Sequence, residues 1–220
     1  DTRDVGQAGN ITIEVSGLTE LIGTSPPVTA SGGVFPSSIV ASSSGTGNAG
    51  ELDVETRNLT VIDGARLDAR TVGNGNAGRL DLSVLEDIFI SGNTPSGASA
   101  SGIYYDTSGA GDAGDLEVSA SNITLLNSGR ISASTSGTGR GGIIDVEADN
   151  QLLVSGTSAS GRRSGLYFDS SSSGDAQGIS VSAFRLDLEN GGQLTVDGTG
   201  TGSPGDIVVN SNVVTLANGS

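Results

Sequence analysis

The residues best suited to chemistry are carboxylates that recur in step. Asp53, Asp81, Glu117 and Asp145 each stand six residues after a Gly-rich signature, which begins at Gly47, Gly75, Gly111 and Gly139. Carboxylate oxygens are the hard ligands that Ca²⁺ prefers, so a column of them reads as a weak calcium strip. The competing reading is a solvated acidic face with Arg79 beside it, on which Glu55 and Glu147 alternate with Ser83 and Ser119. Two such charges stacked ~4.8 Å apart repel by ~1 kcal/mol in water and ~3.5 kcal/mol at an effective dielectric of about 20, which leaves both readings open. The calcium nonapeptide pattern of toxin repeats is absent.

A second group pairs aromatics with acids. Tyr104 with Asp106, and Tyr167 with Asp169, share the outward parity of equivalent segments. A ring beside a carboxylate suits a saccharide, which offers both an apolar face and hydroxyl donors; rings packed under a neighbouring insertion are the alternative. An Asp/Glu pair could also hydrolyse a glycosidic bond, and Asp106 with Asp145 or Asp81 are the candidates. His and Lys are both missing, so the common general bases are not available. The expectation is a non-catalytic chain with no catalytic residue and no cofactor beyond weakly held Ca²⁺. A hydroxyl column, Ser43, Thr71, Thr107, Thr135 and Ser170, breaks at Gly198. It reads as coil-to-coil hydrogen bonding, or as a flat water-ordering array.

The elements that must position these side chains are repeats. Signature copies start at residues 6, 47, 75, 111, 139, 174 and 202, which by subtraction are 41, 28, 36, 28, 35 and 28 apart. Short units of 28 thus alternate with long ones of 35–41. Such self-similarity marks stacked coils. Within one unit, Leu52-Val54, Leu59-Val61 and Leu67-Ala69 alternate with polar neighbours, giving three short strands. Thr56-Arg57-Asn58, Asp63-Gly64 and the run from Val72 to Asn76 read as corners, where Gly, Asn and Asp tolerate positive φ.

Between units the apolar positions form columns. Ile11, Leu52, Leu80, Leu116, Ile144, Ile179 and Ile207 occupy one; Ile39, Leu67, Ile103, Ile131, Leu166 and Leu194 another. Strands lying parallel on their equivalents would stack these inside a narrow prism. Crossover handedness favours a right-handed wind. The expectation is an all-β chain: a right-handed parallel β-helix, a three-faced β-solenoid of about six and a half coils. The long units carry insertions at 23–38, 92–102 and 156–165, expected to protrude from one corner in a row.

Composition narrows the partners. With 25 acidic and 10 basic residues the charge is −15, which disfavours nucleic acid and anionic membrane surfaces. No apolar run is long enough for membrane insertion. There is no Cys, hence no disulfide. The reading is one β-helix domain over 1–220, an internal fragment of a longer chain. Its bare ends would meet neighbouring coils of the full-length chain or end-to-end copies of itself.

The GNAG and GDAG starts, Gly64-Ala65-Arg66-Leu67-Asp68-Ala69-Arg70-Thr71, and the segment from Gly129 to Thr135 resemble the repeat region of filamentous-haemagglutinin-like proteins. The similarity is greatest to large secreted cyanobacterial adhesins. That resemblance implies a β-helix shaft, two-partner secretion, and a place on the cell surface or in the extracellular matrix of a Gram-negative-type bacterium. It supplies no catalytic motif. The functional expectation is the structural shaft of a secreted adhesin or matrix filament. A carbohydrate-binding surface for surface glycans, or a polysaccharide-cleaving enzyme, are the alternatives.

Overall fold

The computed structural model describes residues 6–26 and 34–220. Among them there is no helix, and every ladder between named strands is parallel. The strands are β1 (Ile11–Ile22), β2 (Ser38–Ser43), β3 (Leu52–Ile62), β4 (Arg66–Thr71), β5 (Leu80–Val84), β6 (Asp87–Ser91) and β7 (Gly102–Gly109). They continue with β8 (Leu116–Leu126), β9 (Arg130–Gly137), β10 (Ile143–Ser155), β11 (Gly165–Ser170), β12 (Gly178–Glu189), β13 (Gln193–Gly198) and β14 (Asp206–Ala217). One sheet runs β1-β3-β5-β8-β10-β12-β14, with β6 beside β5 between β3 and β8; the other runs β2-β4-β7-β9-β11-β13. The chain therefore visits the two sheets in turn and advances one ladder per visit, the winding of a β-solenoid.

The apolar columns fall in the expected register. Leu52 pairs with Ile11 and Leu80, and Leu116 with Leu80 and Ile144. In the second sheet Leu67 pairs with Ile39 and Ile103, and Ile131 with Ile103 and Leu166. These residues from β3 through β11 are fully buried. Burying one such side chain contributes ~1.5–3 kcal/mol, so the columns hold the stack together.

The corner read at Thr56-Arg57-Asn58 does not interrupt the ladder. β3, β8, β10 and β12 run through it as strands of 11 to 13 residues. The extra residue of some units is absorbed as a shift in pairing, between Val15 and Leu18 and between Ala148 and Gln151. Where Leu85-Glu86 stand, the strand divides into β5 and β6. Asp63-Gly64 does turn with positive φ, at 57° and 88°, as Asn190-Gly191 does at 51° and 90°.

The signature glycines have a different reason. Gly75 and Gly111 are not in the positive-φ region. A Cβ on Gly75 would stand 2.1 Å from the Gly47 carbonyl oxygen, and one on Gly111 would stand 2.0 Å from that of Gly75. At this corner backbone packs directly on backbone, and only glycine fits. The residue after each glycine completes the corner. Asn48 Oδ1 accepts from Asn76 N at 3.0 Å, Asn76 Oδ1 from Asp112 N at 3.0 Å, and Asp112 Oδ1 from Arg140 N at 2.8 Å. Arg140 has no side-chain acceptor and ends that run; Asp175 restarts it on Ser203 N at 2.8 Å.

The core changes size from coil to coil. One inward column reads Ala41, Ala69, Tyr105, Ala133, Phe168, Val196. Tyr105 and Phe168 belong to the second and third long units; Tyr105 lies between Ala69 and Ala133, and Phe168 between Ala133 and Val196. The Tyr105 hydroxyl accepts from Gly114 N at 2.7 Å and donates to the Gly78 carbonyl, tying two coils at the signature corner. Burial raises the Tyr105 pKa and the Asp115 charge adds to the rise, against the Gly114 hydrogen bond, which lowers it.

Candidate functional site

The outer face of the larger sheet carries the acidic column. Asp53, Asp81, Glu117 and Asp145 are direct register neighbours, as the spacing requires. Arg79 lies among them, 2.9 Å from Asp81 Oδ2 and in contact with Glu117. A guanidinium thus neutralises the middle of the strip. Among the described residues, no three metal-ligating side chains are grouped to hold an ion.

The hydroxyl column faces inward. Ser43 and Thr71 are 1 % exposed, and Thr107, Thr135 and Ser170 are equally buried. Ser43 Oγ donates to the Gly47 carbonyl at 3.1 Å and Ser170 Oγ pairs with Ser172 Oγ at 3.3 Å, whereas the buried Thr107 Oγ1 has no hydrogen-bond partner among the described residues. A water-ordering face is therefore excluded for this column. The outward parity expected of Tyr104 and Tyr167 is correct, but both rings are covered.

Their surroundings repeat. Each tyrosine lies two residues after a glycine, Gly102 or Gly165, and folds back over it. A Cβ on Gly165 would meet the Tyr167 ring at 2.7 Å. The Tyr104 hydroxyl donates to the Ala100 carbonyl, and that of Tyr167 to the Arg163 carbonyl, both at 2.8 Å. On the neighbouring short coil an arginine stacks on the ring: Arg66 at 4.6 Å from the Tyr104 centroid and Arg130 at 4.1 Å from that of Tyr167. Such stacking contributes ~0.5–2 kcal/mol, more as water is excluded. Ring faces and hydroxyls are thus engaged in holding the insertions.

Asp106 and Asp169 flank the tyrosines on the same face, with Ser134 in register between them. Burial lifts both carboxyls above the ordinary 3.8, as it does for Asp68. For Asp106 the charge of Asp68 adds to the rise, against Arg70, whose guanidinium is 3.7 Å away. Asp81 and Asp145, the other members of the candidate hydrolytic pairs, lie on the other sheet. A polar group that sequence reasoning missed is Asp187. It is 2 % exposed, held by Arg185 Nε at 2.5 Å and Gln151 Nε2 at 2.6 Å. The Arg185 hydrogen bond first, and those of Thr215 and Gln151 after it, hold this carboxyl below 3.8 despite its burial.

The insertions share one construction. The neck closes by a hydrogen bond to the carbonyl of a positive-φ glycine: Ser37 N to Gly23, Ser101 N to Gly92 and Ser164 N to Gly156. Antiparallel bridges Thr24–Pro36, Asn93–Ala100 and Thr157–Arg163 follow. The insertion at 23–38 is described only outside 27–33. The second and third touch: Arg162 donates from Nε to the Gly97 carbonyl at 3.2 Å and from Nη2 to that of Ala98 at 2.9 Å.

Comparison with protein-family models, with curated proteins and with solved structures gave no match.

Proposed function

We propose that the chain is a non-catalytic structural shaft that carries its insertions as a lateral ridge. The observation that supports this is the continuity of the inward columns to the outermost coils. At β14 their members Ile207, Val209, Val214 and Leu216 are exposed, Leu216 at 66 %. Open strand edges and bare apolar columns suit contact with another coil of the same kind, from a longer chain or a second copy. The outer faces support no catalytic assignment, because Asp106 and its candidate partners Asp81 and Asp145 stand on different sheets.

On this reading the wind is right-handed and three-faced, the larger sheet folding over the corner near Asn58. Seven signature starts give about six and a half coils and a rod of ~30 Å. The resemblance of the repeats to haemagglutinin-like ones supports a shaft in a secreted adhesin or matrix filament at the surface of a Gram-negative-type bacterium. Partners are then surface glycans or other matrix chains met through the ridge.

Immunogold labelling of the source cells with antibody to this chain tests the placement. Label outside the outer membrane, on filaments or matrix, is expected; label confined to the cytoplasm would end the shaft reading. Small-angle scattering tests the geometry, and a globular rather than rod-like profile would contradict it.

A further inference from the structure

The two gaps between the three insertions are equivalent in construction but not in content. Arg130 lies at the base of the second gap, in register with Gly102 of one long coil and Gly165 of the next. Arg66 lies at the base of the first gap, between Ser38 and Gly102. Across the second gap reaches Arg162, which follows Gly161 in a turn closed by Gly161 N on the Ser158 carbonyl. The second insertion makes the same turn, with Gly97 N on the Thr94 carbonyl, and there Ala98 follows Gly97. The methyl group cannot bridge. Among the described residues the first gap therefore has no such bridge, and it forms a cleft of about 370 Å³ lined by Val34, Pro36, Arg66, Thr94, Ala98 and Ser99 among others.

Arg66 is the charged group of that cleft. Its guanidinium stacks on Tyr104, which fixes its plane. Among the described residues it has no ion pair within 4.0 Å, and its buried Nε has no hydrogen-bond acceptor. The ion-paired arginines 57, 70, 79 and 185 each have a carboxylate at that range, and Arg162 has two carbonyls. Arg130, stacked on Tyr167, shares the unpaired Nε and differs by the Arg162 bridge across its gap. Asp68 and Asp106 act on Arg66 only at longer range. A half-buried guanidinium held in plane by a ring and without an ion pair is the ordinary receptor for a planar carboxylate, reached here through its Nη groups because Nε is sealed. Around it the cleft offers hydroxyls at Ser96 and Ser99 and an apolar wall of Val34, Pro36 and Ala98.

We propose that this cleft binds one sugar-acid residue of an acidic polysaccharide. The carboxylate sits on Arg66, ring hydroxyls on the serines, and the apolar ring face on Val34 and Pro36. The inference goes beyond the shaft reading and does not depend on where the protein resides. The volume suits a single pyranose ring. The chain's charge of −15 opposes any anion, so the affinity is modest.

Nitrogen-15 NMR titration of the whole chain tests it, because the Arg66 Nε–H gives its own signal. Glucuronate, glucose and acetate are the three probes. Glucuronate is expected to shift Arg66 Nε–H and the Thr94 and Ser99 amides, saturating in the millimolar range. Glucose and acetate should each bind at least tenfold more weakly. Arg66→Gln should weaken glucuronate tenfold or more. Ala98→Arg, which restores the bridge of the other gap, should abolish binding with the core resonances unchanged. No glucuronate shift, equal shifts with acetate or with glucose, or an Arg66→Gln variant that binds like the parent would each overturn the proposal.

Discussion

The Asn76 side-chain oxygen accepts the backbone N–H of Asp112, one coil further on, at 3.0 Å. This bond explains why the signature admits Asn or Asp at its second place. Asn76→Ala leaves the Asp112 amide without that acceptor and should destabilise the chain by ~1–2 kcal/mol. Asn76→Asp should be nearly neutral, since Asp112 does the same for Arg140. Urea unfolding of the two variants distinguishes them, and equal losses would show that the oxygen is not what matters.

Close backbone contact at the same corner makes its glycines intolerant of any side chain. Gly75→Ala should cost about 2–4 kcal/mol by forcing coils 47 and 75 apart. Gly17→Ala is the control, as a Cβ there meets nothing within 4 Å. It should be neutral or slightly stabilising. A Gly75→Ala chain as stable as the Gly17→Ala chain would contradict the packing account.

Tyr105 fills the core and also bridges two coils. Tyr105→Phe keeps the volume and strands the Gly114 amide, for a loss of ~1–2 kcal/mol. Tyr105→Ala opens a cavity beside Ala69 and Ala133 and should cost ~3–5 kcal/mol. Calorimetric midpoints read both, and the order of the two losses is the point at issue.

The buried carboxyls act in opposite senses with pH. Asp187 is held below 3.8, so its contribution is present above that value and is lost as pH falls through the lowered one. Asp106 is raised, so its protonated form favours the fold below 3.8, and that advantage fades as pH rises through the raised value. Asp187→Asn should therefore destabilise at pH 7 and flatten the acid limb of the stability curve. Asp106→Asn should gain at pH 7 and lose that gain by pH 3. Melting temperatures across pH 3–7 decide it, and parallel curves for both variants would refute the assignment.

The columns were legible because their members share one type and one offset from a motif. Leu52 to Leu80 and Leu67 to Ile103 needed only counting. The glycine signature was visible, yet its cause was not. Positive φ and close approach select the same residue, and only coil-to-coil distances separate them. Thr71 and Thr107 continue the inward alternation of Leu67-Ala69 and Ile103-Tyr105, so parity alone places those hydroxyls inside. For Tyr104 and Tyr167 the alternation gave the correct side of the sheet. What covers them comes from insertions and from an arginine one coil away, and no local pattern encodes that. Asp187 gave no signal at all, because alternation marks it outward and its burial is made by long neighbouring side chains.

The alternation of Tyr105 and Phe168 with Ala69 and Ala133 also limits how such a gene can lengthen. Duplicating a single turn at Tyr105 or Phe168 would place bulk on bulk, and duplicating any turn would throw the lateral loops out of line. Copying a doublet leaves each layer with neighbours of the kind it already has. Growth or shrinkage of this chain is therefore quantised in pairs.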